Sequence, residues 1–141
     1  MMSGIVGQGC VKRASLVEGI TYDGHFVSEK YEPEKPIYAV SEATAERVKE
    51  ALVSSVMDAE NHPARPKYTT AGGKTGTAQT GRYKKDGSEI LQGWFAGFFP
   101  AEEPKYILVV LAEDAENGSV DASPVFREIV DELTLKLGMR K

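Results

Sequence analysis

The sequence is poor in the residues that build most metal and thiol centres. It has one cysteine, Cys10, and two histidines, His25 and His62. A lone cysteine forbids an internal disulfide and says little about compartment. Structural zinc wants four clustered ligands, which one Cys and two isolated His do not provide. A cysteine nucleophile would have to pair Cys10 with one of those histidines. Neither lies in a recognisable local signature, so Cys10 reads as an incidental thiol, and nothing asks for a cofactor. Long hydrophobic runs are also missing. The longest, Ile107 to Ala112, falls far short of the ~20 residues that cross a bilayer. Met1-Met2-Ser3-Gly4 lacks the basic and apolar regions of a secretion signal. The expectation is a soluble chain without anchor or signal peptide. Basic excess is absent as well: a net charge of −4 argues against a nucleic-acid partner.

What is present looks globular. The chain has 141 residues, 41% hydrophobic and 27% charged, which suits one domain by the rule of about 100–200 residues each. Residues 1–40 read as irregular, with a short hairpin turning at Asp23-Gly24 between Leu16–Ile20 and Phe26–Tyr31. Pro33 and Pro36 then break regular structure. The glycines at 4, 7 and 9 lack the spacing of a phosphate loop and suggest a mobile terminus. Residues 41–58 predict a helix, with Ser41 as N-cap, a core stripe of Ala45, Val48, Leu52 and Val56, and Glu46, Lys49 and Glu50 solvated. Residues 68–112 predict a three-stranded antiparallel sheet. Its strands are the Lys74-Thr75-Gly76 segment, Trp94–Phe99 and Tyr106–Leu111, with Gly81–Gly93 as a surface loop. The connection from Pro100 to Lys105 is too short for a parallel crossover. Both of the last two strands are so apolar that the sheet is expected to be covered on both faces. A final helix is predicted over 123–137, with Ser123 as N-cap, Pro124 at its first position, and a stripe of Phe126, Ile129, Val130, Leu133 and Leu137. Together these give an α+β fold.

Ala71-Gly72-Gly73-Lys74-Thr75-Gly76-Thr77-Ala78-Gln79-Thr80 is the chemically suggestive stretch. On a strand, the side chains of Thr75 and Thr77 share one face, and Lys74 and Gly76 take the other. Paired glycines permit close approach of a ligand or another backbone. Two hydroxyls, a cation and free backbone N–H groups on one strand edge suit a carboxylate and a developing oxyanion. The plainer reading stays open: threonines as β-formers, and Lys74 as an edge lysine that discourages aggregation.

Four stretches in this order resemble a class B penicillin-binding protein, in the C-terminal part of its transpeptidase domain. They are the Lys-Thr-Gly segment, Gly93-Trp94-Phe95-Ala96-Gly97-Phe98-Phe99-Pro100, the strand Tyr106 to Leu111, and Ala122-Ser123-Pro124-Val125-Phe126. The likeness runs from about Leu16 to Leu137. It implies part of the penicillin-binding transpeptidase fold, an antiparallel sheet flanked by helices. It also implies D,D-transpeptidation of peptidoglycan, with β-lactam binding, at the extracytoplasmic face of the membrane. By resemblance, Lys74 supplies electropositive character and helps proton traffic, and the Thr75 and Thr77 hydroxyls bind the carboxylate of a stem peptide or β-lactam. The Thr77 N–H forms half of an oxyanion hole, and Gly76 keeps the strand open.

The family's other two motifs, Ser-x-x-Lys with the nucleophile and Ser-x-Asn, do not occur. No serine has Lys three residues on or Asn two residues on, and the only asparagines are Asn61 and Asn117. In the family both motifs lie N-terminal to everything seen here, so the chain reads as a single partial domain whose partner is the missing part of the transpeptidase domain. Loss of a serine nucleophile costs about 10⁶ in turnover, against roughly 10²–10³ for one oxyanion donor. The chain alone is therefore expected to be inactive. The alternative is a non-catalytic binding module that reuses this half-fold. Apolar surface left bare is expected to drive homo-oligomer formation.

Overall fold

The computed structural model describes residues 1–12, 16–17, 19–25, 27–30 and 35–139. Phe26, Tyr31 and Pro33, on which part of the N-terminal expectation rested, lie outside them. The fold is α+β. A short helix α1 (Met2–Val6) leads into β1 (Cys10–Val11), then β2 (Gly19–Thr21), β3 (Val27–Lys30) and β4 (Ile37–Tyr38). β2 and β3 form an antiparallel hairpin; its turn is held by the Asp23 carboxylate, which accepts from the His25 N–H at 2.9 Å. The glycine-spaced start, expected to be mobile, is packed. β1 pairs with β4, and Gly9, at φ 85°, leaves no room for a side chain beside the Val40 carbonyl.

Helix α2 (Glu42–Met57) starts where the Ser41 hydroxyl accepts from the Thr44 N–H at 3.2 Å. Ala45 and Val56 are buried, but Val48 is exposed. The buried line passes instead beside Lys49, whose side chain is 17% exposed and paired with Glu46 at 2.8 Å. The predicted stripe was therefore one helical position too wide on one side and too narrow on the other.

The main sheet has the order β5 (Gly72–Tyr83), β6 (Glu89–Phe99), β7 (Tyr106–Ala115), all antiparallel. The Gly81–Gly93 stretch is mostly strand rather than loop. Its polar side chains make the ladder's links: Gln79 donates to Glu89 at 3.0 Å, and the Gly81 N–H donates to the same carboxylate at 3.0 Å. Only residues 84–88 turn, closed by the Lys84 N–H on the Ser88 carbonyl at 2.8 Å.

On the sheet's inner face, Gly73 on β5 stands directly opposite Gly97 on β6. This paired gap admits two aromatic rings. A Cβ on Gly73 would lie 2.6 Å from the Phe95 ring, and one on Gly97 would lie 2.7 Å from Phe126. Phe95 and Phe126 meet at 4.5 Å between centroids, at the centre of a core completed by Val56, Ala64, Ala71, Phe99, Ala122 and Val130. Burying one such ring contributes roughly 1.5–3 kcal/mol. On the outer face, the fully buried Phe98 ring lies over Gly72. Farther along that face, Ile107, Val109 and Leu111 are exposed, so the expectation of a sheet covered on both faces fails at β7. Their apolar character misled because a strand buried on both faces and an edge strand with a bare face share the same composition.

The last helix, α3 (Ser123–Lys136), does not begin at a serine cap. It grows directly out of a π-helical turn, Gly118–Ala122. Ser123 is fully buried and its hydroxyl donates to the Gly118 carbonyl at 3.0 Å. Asn117 caps the turn instead, its side chain accepting from the Ser119 and Val120 N–H groups. At the far end Thr134 is buried where the stripe predicted Leu137, which is half-exposed.

Candidate active site

β5 is the edge strand of its sheet, and two contacts show which way its backbone faces. The Ser55 hydroxyl of α2 donates to the Gly73 carbonyl at 3.2 Å, and Lys74 Nζ donates to the Thr75 carbonyl at 3.2 Å. The Gly72 carbonyl, in contrast, lies against Gly97 of β6. Peptide groups of alternate residues face alternate edges of an antiparallel strand. Gly73, Thr75 and Thr77 therefore direct their N–H and C=O groups to the unpaired edge.

Of the predicted site residues, Lys74 and Thr75 meet there. Lys74 rises from the outer face, and its ammonium bends back over the edge to within 3.2 Å of the Thr75 hydroxyl. Among the described residues it forms no ion pair, so its charge is not neutralised internally. Thr77 lies two residues on, its hydroxyl accepting from the Gly118 N–H at 3.3 Å. Gly76 sits between them opposite Trp94. A Cβ added at Gly76 would meet only Trp94 Cβ, at 3.5 Å, which is ordinary contact. Packing within this chain does not require glycine at that position.

The segment after β7 buttresses the site, and sequence reasoning passed over it. The Asp121 carboxylate accepts from the Glu116 N–H at 2.8 Å and the Asn117 N–H at 3.2 Å. With the Asn117 and Ser123 bonds, this fixes the Gly118 backbone over the sheet. A Cβ on Gly118 would stand 2.4 Å from both the Gly76 and Trp94 carbonyls, so only glycine fits. The available signal was the polar group at 117, 119, 121 and 123 directly before an apolar helix, a pattern suited to side-chain bonds that close a turn.

The other singled-out residues lie elsewhere. Cys10 is on β1, His25 in the β2–β3 turn, and His62 in the loop after α2. Among the described residues no group of His, Cys, Asp and Glu could hold a metal ion. The His62 Nδ1 accepts from the Ala64 N–H at 3.2 Å, and burial lowers its pKa. It lines a cleft of about 650 Å³ with Arg65, Lys67 and Arg127, which excludes Lys74, Thr75 and Thr77. Size alone does not make that cleft the site; the convergent polar groups are on the β5 edge. No described helix is long and apolar enough to cross a membrane.

Comparison with known proteins gives the family and the fold. The family model of the penicillin binding protein transpeptidase domain matches residues 1–131. The peptidoglycan D,D-transpeptidase MrdA of Haemophilus influenzae is 30% identical over 90 residues, covering 55% of this chain and 14% of that protein. A peptidoglycan synthetase from Bifidobacterium adolescentis has a similar structure, with a TM-score of 0.81 at 22% identity over 99% of this chain and 26% of that one. Penicillin-binding protein A of M. tuberculosis, solved as an imipenem acyl-enzyme complex, gives 0.68 at 24% identity over 94% of this chain and 29% of that one. The chain thus spans less than a third of each of these proteins.

Proposed function

The chain belongs to the penicillin binding protein transpeptidase domain family, and on that premise we propose that its β5 edge is the carboxylate- and oxyanion-binding wall of a peptidoglycan D,D-transpeptidase site. One observation carries the reading: Lys74 reaches the Thr75 hydroxyl over a strand edge, unpaired among the described residues, to which Thr75 and Thr77 turn their backbone N–H groups. The two hydroxyls and the ammonium bind the terminal carboxylate of a D-Ala-D-Ala stem peptide, or that of a β-lactam. The Thr77 N–H donates to the oxygen that becomes negative when the scissile carbonyl is attacked. Such a donor contributes roughly 10²–10³ in rate. The open space at Gly76 gives the ligand backbone room to lie alongside the strand.

The attacking serine is not among these 141 residues, since none of the serines stands in Ser-x-x-Lys or Ser-x-Asn. On this reading the nucleophile comes from another segment of the transpeptidase domain, and the whole enzyme acts on the extracytoplasmic face of the membrane. The names of the relatives, a peptidoglycan D,D-transpeptidase and an imipenem acyl-enzyme, support that assignment.

Two measurements test it. Incubation with a fluorescent penicillin, read by intact mass, is expected to give no adduct. A stoichiometric, hydroxylamine-labile adduct would overturn the division of labour. An amide-resonance titration with a D-Ala-D-Ala-terminated peptide is expected to move Lys74–Thr77 first. Shifts confined to other residues would sink the assignment of the edge.

A further inference from the structure

By strand alternation, the odd-numbered residues of β5 turn their backbone groups to its outer edge, and they differ in what already occupies them. The Gly73 carbonyl accepts from the Ser55 hydroxyl at 3.2 Å, and Gly73 is buried. The Thr75 carbonyl accepts from the Lys74 ammonium at 3.2 Å. At the other end, the Gly81 N–H donates to the Glu89 carboxylate at 3.0 Å, and a φ of 68° turns the chain there. Between these occupied positions stand Thr77 and Gln79, both exposed. They lie in the regular part of the ladder, opposite Gly93 and Leu91, and the register breaks directly after Gln79. Among the described residues, no loop or side chain bonds the backbone N–H or C=O of either. The edge therefore offers two complete rungs, about 6.8 Å apart along the strand.

The first rung fixes what reaches the second. A ligand residue whose carbonyl accepts from the Thr77 N–H, and whose N–H donates to the Thr77 carbonyl, forms a hydrogen-bonded antiparallel pair with it. Its C-terminal neighbour and that neighbour's carboxylate then run toward Thr75 and Lys74. The residue two positions before it falls opposite Gln79, where its carbonyl meets the Gln79 N–H. In a peptide ending in D-Ala-D-Ala, that carbonyl is the one acylating the third residue from the carboxyl end. An acylated dipeptide stops one residue short and leaves this rung empty. The Glu89 carboxylate holds the strand end in place. It accepts from the Gln79 side-chain amide at 3.0 Å as well as from the Gly81 N–H at 3.0 Å, so it grips both sides of the point where the ladder breaks.

We propose that the Gln79 backbone is a second acyl-donor subsite, selecting N-acylated tripeptides that end in D-Ala-D-Ala over acylated dipeptides. The subsite rests on the assignment of the β5 edge made above, since Thr77 sets the ligand's register.

Amide-resonance titrations of the 141-residue chain with N-acetyl-D-Ala-D-Ala and with N-acetyl-L-Ala-D-Ala-D-Ala test the two assignments separately. Both peptides are expected to move the Thr77 amide. Only the longer one should move the Gln79 amide and slow its hydrogen exchange. It should also bind about two- to tenfold tighter, the worth of one added hydrogen bond. Gln79→Pro deletes the donor where the N–H faces away from β6, a place at which an edge strand tolerates proline. It should bring the longer peptide down to the affinity of the shorter. Gln79→Leu keeps the N–H and should retain most of the gain. If the shorter peptide moves Thr77 and the longer adds nothing at Gln79, the subsite is wrong and the edge assignment stands. If neither peptide moves Thr77, the edge assignment fails and the subsite falls with it. A loss in Gln79→Leu equal to that in Gln79→Pro also overturns the proposal, because the side chain rather than the backbone would then carry the gain.

Discussion

Replacing Gly97 with alanine tests whether the aromatic core is as tight as the paired-glycine gap implies. The new methyl carbon would stand 2.7 Å from one atom of the Phe126 ring, 2.8 Å from another, and 2.8 Å from the Gly72 carbonyl. Ordinary contacts begin near 3.4 Å, so something must move by more than half an ångström. Neither obstacle yields easily. The Phe126 ring is fully buried and rests on Phe95, and the carbonyl belongs to a paired strand. Overpacking of this kind costs about 1–3 kcal/mol, while loss of chain freedom in the unfolded state returns about 0.4–1 kcal/mol. With backbone as one obstacle, a net loss of about 2 kcal/mol is expected, or roughly 5–8 °C in Tm at this chain length. Urea titration followed by the single tryptophan, Trp94, reads it directly. Phe126→Leu should relieve the ring contacts but not the carbonyl contact, so the double variant should show partial coupling of about 0.5–1 kcal/mol. The paired control is Gly76→Ala, whose methyl meets only an ordinary 3.5 Å contact. It should leave stability within about 0.5 kcal/mol while weakening binding of the D-Ala-D-Ala peptide. If Gly97→Ala is as stable as the parent, the ring cluster is loose and the role assigned to the glycine pair is wrong.

Two other variants probe the buttress and the cleft. Ser123→Ala removes one of the two donors to the buried Gly118 carbonyl, which keeps the Ser123 backbone N–H, and should cost about 0.5–1.5 kcal/mol, with added mobility at Thr77; unchanged Thr77 amide exchange would separate the turn from the site. His62 has a folded-state pKa below its unfolded value because of burial, so its contribution is complete above the unfolded value of about 6.5 and is lost as pH falls through the folded one. Protonation also removes the lone pair that accepts from Ala64, and His62→Gln should flatten this acid-side slope in urea titrations at a series of pH values.

What was legible in the sequence was local or periodic. The Ser41 cap and the short Pro100–Lys105 connection are written in adjacent residues, and the structure has both. Strand alternation put Thr75 and Thr77 on one face and Lys74 on the other; that the ammonium bends back over the edge to Thr75 could not be read from it. The missed features depend on what lies across space. Ser123 looked like a cap because Ser-Pro commonly opens a helix, yet the preceding π-helical turn had already begun the winding and turned its hydroxyl inward. The strand ends at Tyr83 and Glu89 were hidden because their stability comes from cross-strand polar bonds rather than apolar alternation. Glycines 72 and 73 were read as room for a neighbour; the neighbours proved to be the rings of Phe98 and Phe95.

The bonds already made by Thr75 and Thr77 give the β5 edge a fixed polarity. Each hydroxyl has one proton, and each already accepts from a group able only to donate, the Lys74 ammonium or the Gly118 amide. Each proton therefore remains to be aimed outward. An incoming acceptor such as a carboxylate finds the hydroxyls, the ammonium and the edge amides all oriented as donors. The acceptors on this edge are its carbonyls, of which those of Gly73 and Thr75 already accept from Ser55 and Lys74, so the wall offers several donors to a carboxylate and leaves the Thr77 carbonyl for a ligand N–H.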